Sequence, residues 1–102
     1  MSRLGDETVG RMATGRCSGI GAAAKRIREE SFRASKGVEL AASEGNTGIV
    51  YVGNEDVTSG SDPDTDGFPV PPGERVFFPI DDPRRLYVTA GVEGQAVFYA
   101  AL

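Results

Sequence analysis

From Val38 onward, apolar and polar positions alternate with a period of two, which predicts strands. Val38, Leu40 and Ala42 alternate with Glu39, Ala41 and Ser43, and GIVYVG (48–53) is a short β-branched run. The turn cluster EGNTG between them makes these two segments a predicted hairpin. Three more strands follow. ERVFFPI sets Val76, Phe78 and Ile80 on one face, RLYVTA sets Leu86 and Val88, and QAVFYAAL sets Ala96, Phe98, Ala100 and Leu102. The expected core is Val38, Leu40, Val50, Val52, Val76, Phe78, Leu86, Val88 and Phe98.

The connections fit this reading. SGSDPDTDG and PVPPG are dense in Gly, Pro, Ser and Asp, DDPR turns between two strands, and GVEG closes a last hairpin. Pro79 cannot donate a ladder hydrogen bond, so its strand belongs at a sheet edge or ends in a bulge. Short strands at this spacing predict a mainly β fold, a small antiparallel sandwich or barrel. Residues 1–18 show no sustained period and predict an extended N-terminal arm ahead of a domain spanning 19–102. AAAKRIREESFRASK has helix-favouring composition, with Ile20, Ala23, Ala24, Ile27 and Ala34 near one helical face, but Gly19 and Gly21 leave its start poorly capped.

Composition narrows the function. A chain of 102 residues with 14 Gly, 6 Pro and 39% apolar residues suits one compact, turn-rich core. Cys17 is the single cysteine and there is no His, so neither an intrachain disulfide nor a thiol/imidazole pair can form. No apolar run approaches a membrane span, and MSRLGDETVG lacks a signal pattern, so neither membrane insertion nor secretion is expected. The net charge of −4 divides unevenly: residues 1–37 hold eight Lys/Arg against four Asp/Glu, and residues 38–102 hold three against eleven. Arg3, Arg11, Arg16, Lys25, Arg26 and Arg28 are therefore the candidate partner-binding residues, suited to an acidic or polar protein surface. Nucleic acid is a poor partner, because Glu29 and Glu30 interrupt the basic stretch and the remainder of the domain is acidic.

Asp62, Asp64 and Asp66 with Gly67 match the first half of an EF-hand loop. The second half fails, since Gly73 stands where a bidentate Glu is needed and Pro69, Pro71 and Pro72 forbid the exiting helix. A solvated acidic turn is the reading adopted, with no metal and no cofactor expected. Gly19, Gly21 and Ala24 form only a fragment of a dinucleotide fingerprint, with no strand before it and too little chain after it. No catalytic constellation is present either: a nucleophilic Ser or Cys17 would need a Lys base, and Asp81 and Asp82 read as turn formers beside Pro83. The chain is read as a non-enzyme.

NTGIVYVGNEDVT (46–58), GFPVPPGERVFFPIDDPRRLYV (67–88) and GQAVFY (94–99) together resemble small β-domain virion proteins of tailed bacteriophages, the head-decoration or capsid-cement type. The likeness runs in order through residues 36–102, with SDPDTD as an added acidic loop. It implies a strand over AAKRIRE and a structural protein that clamps the major capsid protein or other virion subunits. It also implies a homo-oligomer made in the host cytoplasm and placed on the capsid surface. A tail or baseplate adaptor is the first alternative. A carbohydrate-binding sandwich using Tyr51, Phe77, Tyr87 and Tyr99 as sugar platforms is the second.

Overall fold

The computed structural model describes residues 11–102. Its strands are β1 (Ala13–Ile20), β2 (Lys25–Arg26), β3 (Val38–Ala42), β4 (Val50–Gly53), β5 (Phe68–Val70), β6 (Arg75–Phe78), β7 (Tyr87–Ala90) and β8 (Gln95–Ala101). A 3-10 turn at Pro83–Arg85 precedes β7. They form two four-stranded antiparallel sheets, β1-β8-β3-β6 and β2-β7-β4-β5. One core cluster draws Val38, Leu40, Val97, Tyr99 and Ala101 from the first sheet and Val50, Val52, Val70, Val88 and Ala90 from the second. The protein is a mainly β sandwich, as the alternation and turn spacing predict.

The pairing differs from the sequence reading. Among the described residues only β4 and β5 pair with a chain neighbour; the expected β3–β4 and β7–β8 hairpins do not form, because each turn carries the chain from one sheet to the other. Side chains hold the first of these crossings. Asn46 Nδ2 donates to the Ala96 carbonyl at 2.9 Å while its Oδ1 accepts from Ala96 N at 2.9 Å, extending the ladder where β3 stops. The buried Gln95 amide oxygen accepts from Thr47 N and Gly48 N at 2.8 and 3.0 Å. The loop is thereby stapled to the start of β8, and the chain descends into β4.

The last strand faces the other way from the expectation. Gln95, Val97, Tyr99 and Ala101 point inward and Phe98 points out, 46% exposed. Register decides it: Val38, Leu40 and Ala42, all buried, lie opposite Ala101, Tyr99 and Val97. Both faces of QAVFYAAL carry apolar residues, and Gln95 and the Tyr99 hydroxyl make the inner one look polar. Val76 and Phe78 are only partly buried, since β6 is the edge strand that Pro79 predicts.

Residues 1–10 of the expected arm lie outside the described residues, and Arg3 with them. Its later part is strand: Ala13 to Cys17 pair with Ala101 to Val97, and the register shifts before Ile20 meets Gln95. No hydrophobic period marks β1 because its inward positions are small. Gly15 lies opposite Tyr99, and a Cβ there would fall 2.5 Å from the Tyr99 hydroxyl. The helix-favouring segment forms no helix, and of the implied strand only Lys25–Arg26 is one. Residues 21–36 run as a strap along the side of the sandwich, burying Ile27 and Ala34 and half-burying Phe32. Ile27 N donates to Leu86 O and Ala34 N to Asp81 O, so burial and external backbone partners override local propensity.

Candidate binding face

Alternation in the first sheet sends Thr14 and Arg16 of β1, Ala96, Phe98 and Ala100 of β8, Glu39 and Ala41 of β3, and Arg75 and Phe77 of β6 to its outer face. The registers set them in rows. Thr14, Ala100, Glu39 and Phe77 form one, and Arg16, Phe98, Ala41 and Arg75 form the next. Met12, 57% exposed, precedes β1 on the same alternation. Phe77 is 47% exposed. Phe98 thus stands on a central strand amid alanines, with open clefts of about 160 and 390 Å³ beside it, both bordered by Ala41 and Arg75.

The face carries little charge. Glu39 and Arg75 form a loose, exposed pair at 3.9 Å, and Arg16 has no ion pair among the described residues. Among the described residues the acidic clusters lie elsewhere, in the loops holding Asp62, Asp64 and Asp66, and Asp81 and Asp82.

The six basic candidates are not brought into one patch. Arg16 lies on the first sheet's outer face. Arg26 lies on that of the second, where its Nε donates to the Tyr87 hydroxyl at 2.9 Å and its guanidinium sits 5.1 Å from the ring centroid. Arg28 donates to the Tyr99 hydroxyl at 3.1 Å and pairs with Glu30, and Lys25 donates to the Ser18 carbonyl at 2.6 Å. These three fasten the strap to the sandwich. Arg11 packs over Phe32, 5.4 Å from its centroid.

The acidic loop is organised by its own backbone. Asp66 Oδ1 accepts from Thr58 Oγ1 at 2.6 Å and from Gly60 N at 2.7 Å, while Asp62 Oδ1 accepts from Asp64 N at 3.0 Å. The Thr58 hydroxyl, with the loop N–H groups behind it, holds the Asp66 carboxyl below its ordinary pKa. Among the described residues no three His, Cys, Asp or Glu side chains converge as a metal site. Asp82 caps the 3-10 turn, accepting from Arg84 N, the Ser31 hydroxyl and Phe32 N at 2.9, 2.9 and 3.3 Å. Burial pulls its pKa up, but these donors outweigh it and the net shift is downward. Cys17 is buried, which raises its thiol pKa against the pull of Lys25.

The aromatics considered as sugar platforms share no face. Tyr51 and Tyr87 sit on the outside of the second sheet, Phe77 on the outside of the first, and Tyr99 is only 8% exposed in the core. The sequence reading missed Phe98 as a surface residue. The available signal was the set Ala96, Ala100 and Ala41, too small to fill a core beside a Phe. Comparison with known proteins finds no matching family model, curated protein or solved structure.

Proposed function

We propose that the protein is a non-enzymatic structural protein of a tailed-phage virion, a decoration protein that binds and stabilises the outer surface of the head. The observation that carries the reading is the first-sheet face, which no other segment crosses among the described residues, a broad, low-charge surface centred on Phe98. Such a surface suits contact with another protein better than capture of a small molecule, which calls for a concave pocket with converging polar groups. The order of the segments 46–58, 67–88 and 94–99 supports the virion assignment by resemblance. In this reading the major capsid protein is the partner, and Arg3, Arg11 and Arg16 at the start of the chain contribute attachment that weakens as salt rises.

The test is immunogold electron microscopy of purified particles with an antibody against this chain. Label on the head surface supports decoration. Label on the tail or baseplate moves the protein to the adaptor reading, and particles free of the chain overturn the virion role.

A further inference from the structure

We infer that the open edge of β1 accepts an added strand, an extended carboxylate-bearing segment of another protein, held by the backbone at Thr14 and Arg16. The inference concerns the margin of the first sheet rather than its Phe98 face. It goes beyond the virion reading and holds wherever the donor protein belongs.

Backbone parity identifies the edge. Ser43 N donates to the Ala96 carbonyl at 3.0 Å and Leu102 N to the Gly37 carbonyl at 2.9 Å, which turns the even positions of β8 toward β3. The odd positions Val97, Tyr99 and Ala101 therefore bond to Cys17, Gly15 and Ala13, and the N–H and C=O groups of Thr14 and Arg16 point away from the sheet. Both residues are exposed, and among the described residues no strand pairs with β1 on that side. The other three edges are blocked or short. Pro69 presents no N–H at the edge of β5, Pro79 follows β6 at once, and β2 has two residues. A row of unpaired backbone groups on a regular strand is a template for one more strand.

Charge selects the occupant. Arg16 is the only charged residue of Ala13–Ile20, Arg11 stands just before the strand, and Lys25 Nζ donates to the Ser18 carbonyl near its far end. None of the three forms an ion pair among the described residues. An incoming strand with Asp or Glu across from Arg16 gains a cross-strand pair, whereas one with Lys or Arg there meets like charge. A second copy of β1 brings the same cations and is disfavoured for that reason. The register shift between Cys17 and Ile20 ends the regular run, so the donated segment pairs only alongside residues 13–17.

The test is amide hydrogen exchange of the whole chain by NMR, alone and with about 1 mM of a capped seven-residue peptide of alternating valine and glutamate. Exchange at Thr14 and Arg16 should slow at least threefold, which corresponds to a dissociation constant of about 500 μM or below. Gly15 and Cys17, already bonded to β8, should not change. The valine–lysine counterpart should have no effect, and Arg16→Glu should exchange the preference of the two peptides. Thr14→Pro removes an outward donor without touching the ladder to β8, and should abolish protection at Arg16 with the fold retained. Amides at Thr14 and Arg16 that the acidic peptide leaves unchanged overturn the inference. So does equal protection by the two peptides. Protection of both amides in the chain alone also overturns it: if independent of protein concentration, the chain's own residues hold the edge, and if it grows with concentration, a second copy does.

Discussion

The outer faces of the two sheets are built alike and finished differently. On the second sheet, the exposed side of β7 is closed by the chain itself: Arg26 engages Tyr87, and Thr89 is 1% exposed, its hydroxyl shared between the Gly21 and Ala22 carbonyls at 2.8 and 3.0 Å. Glu93 is drawn in too, accepting from Ala22 N at 3.2 Å, in a space that exists because position 21 is glycine. On the first sheet no such strap crosses β8 among the described residues, and Phe98 stands open. A chain that spends residues 21–36 sealing one side while leaving an aromatic on a central strand bare has divided its surface between internal and external contacts.

Substitutions can break or sharpen that contrast. Tyr99→Ala and Phe98→Ala remove adjacent rings from opposite sides of β8. The first should cost about 3–5 kcal/mol in urea denaturation, since it opens a cavity between Gly15 and Leu40 and removes one of the acceptors of Arg28. A cost below about 1 kcal/mol for Tyr99→Ala, the level of a surface site, would reverse the orientation of β8. Thr89→Val should cost about 1 kcal/mol, one net buried hydrogen bond, because Ala90 N still donates to the Gly21 carbonyl at 2.9 Å. No loss there would mean that the strap does not seal the second sheet. Phe98→Ala should change stability by under about 0.5 kcal/mol.

The smallest effect concerns pH. The folded-state pKa of Asp82 lies below its unfolded value, so its contribution is complete above about pH 4 and is lost as pH falls through the folded value. The melting temperature of the wild type should therefore exceed that of Asp82→Ala at neutral pH and converge with it in acid. A gap that persists unchanged to pH 2 would remove the Asp82 carboxylate from the fastening of the strap at Ser31 and Phe32.

Much of the sandwich was legible because β3 and β4 each bury one alternating set, Val38 with Leu40 and Val50 with Val52, and the inward Val88 of β7 continues the alternation of the buried Leu86. What escaped depended on partners distant in sequence. β1 has no pattern of its own, since Gly15 is small to admit a ring carried 84 positions further along, at Tyr99. EGNTG and GVEG have hairpin composition, and the same residues serve a crossing between sheets equally well. The candidate face was hidden by a sound rule applied to an ambiguous strand. Phe98 is the larger apolar side chain, whereas Tyr99 and Gln95 could go inside only because Arg28, Thr47 and Gly48 satisfy them. Of the basic residues proposed for attachment, the charge count gave no means of separating Arg16, exposed beside Phe98, from Arg26 and Arg28, which are engaged within the fold.

The pairing of β1 with β8 also governs how the chain reaches this structure. Ala13 meets Ala101, and β8, an inner strand of the first sheet, follows the other seven described strands in chain order, so neither β1 nor β3 has its β8 partner until all of those have been made. With β4–β5 the single pairing between consecutive strands among those described, little of the sandwich can form early. Loop closure over such separations precedes any reward from packing, which places folding in the millisecond-to-second range of non-local β topologies. Until β8 arrives, β1 has no strand partner and β3 has only β6 on one side, so open strand edges leave the nascent chain vulnerable to pairing with another copy of itself.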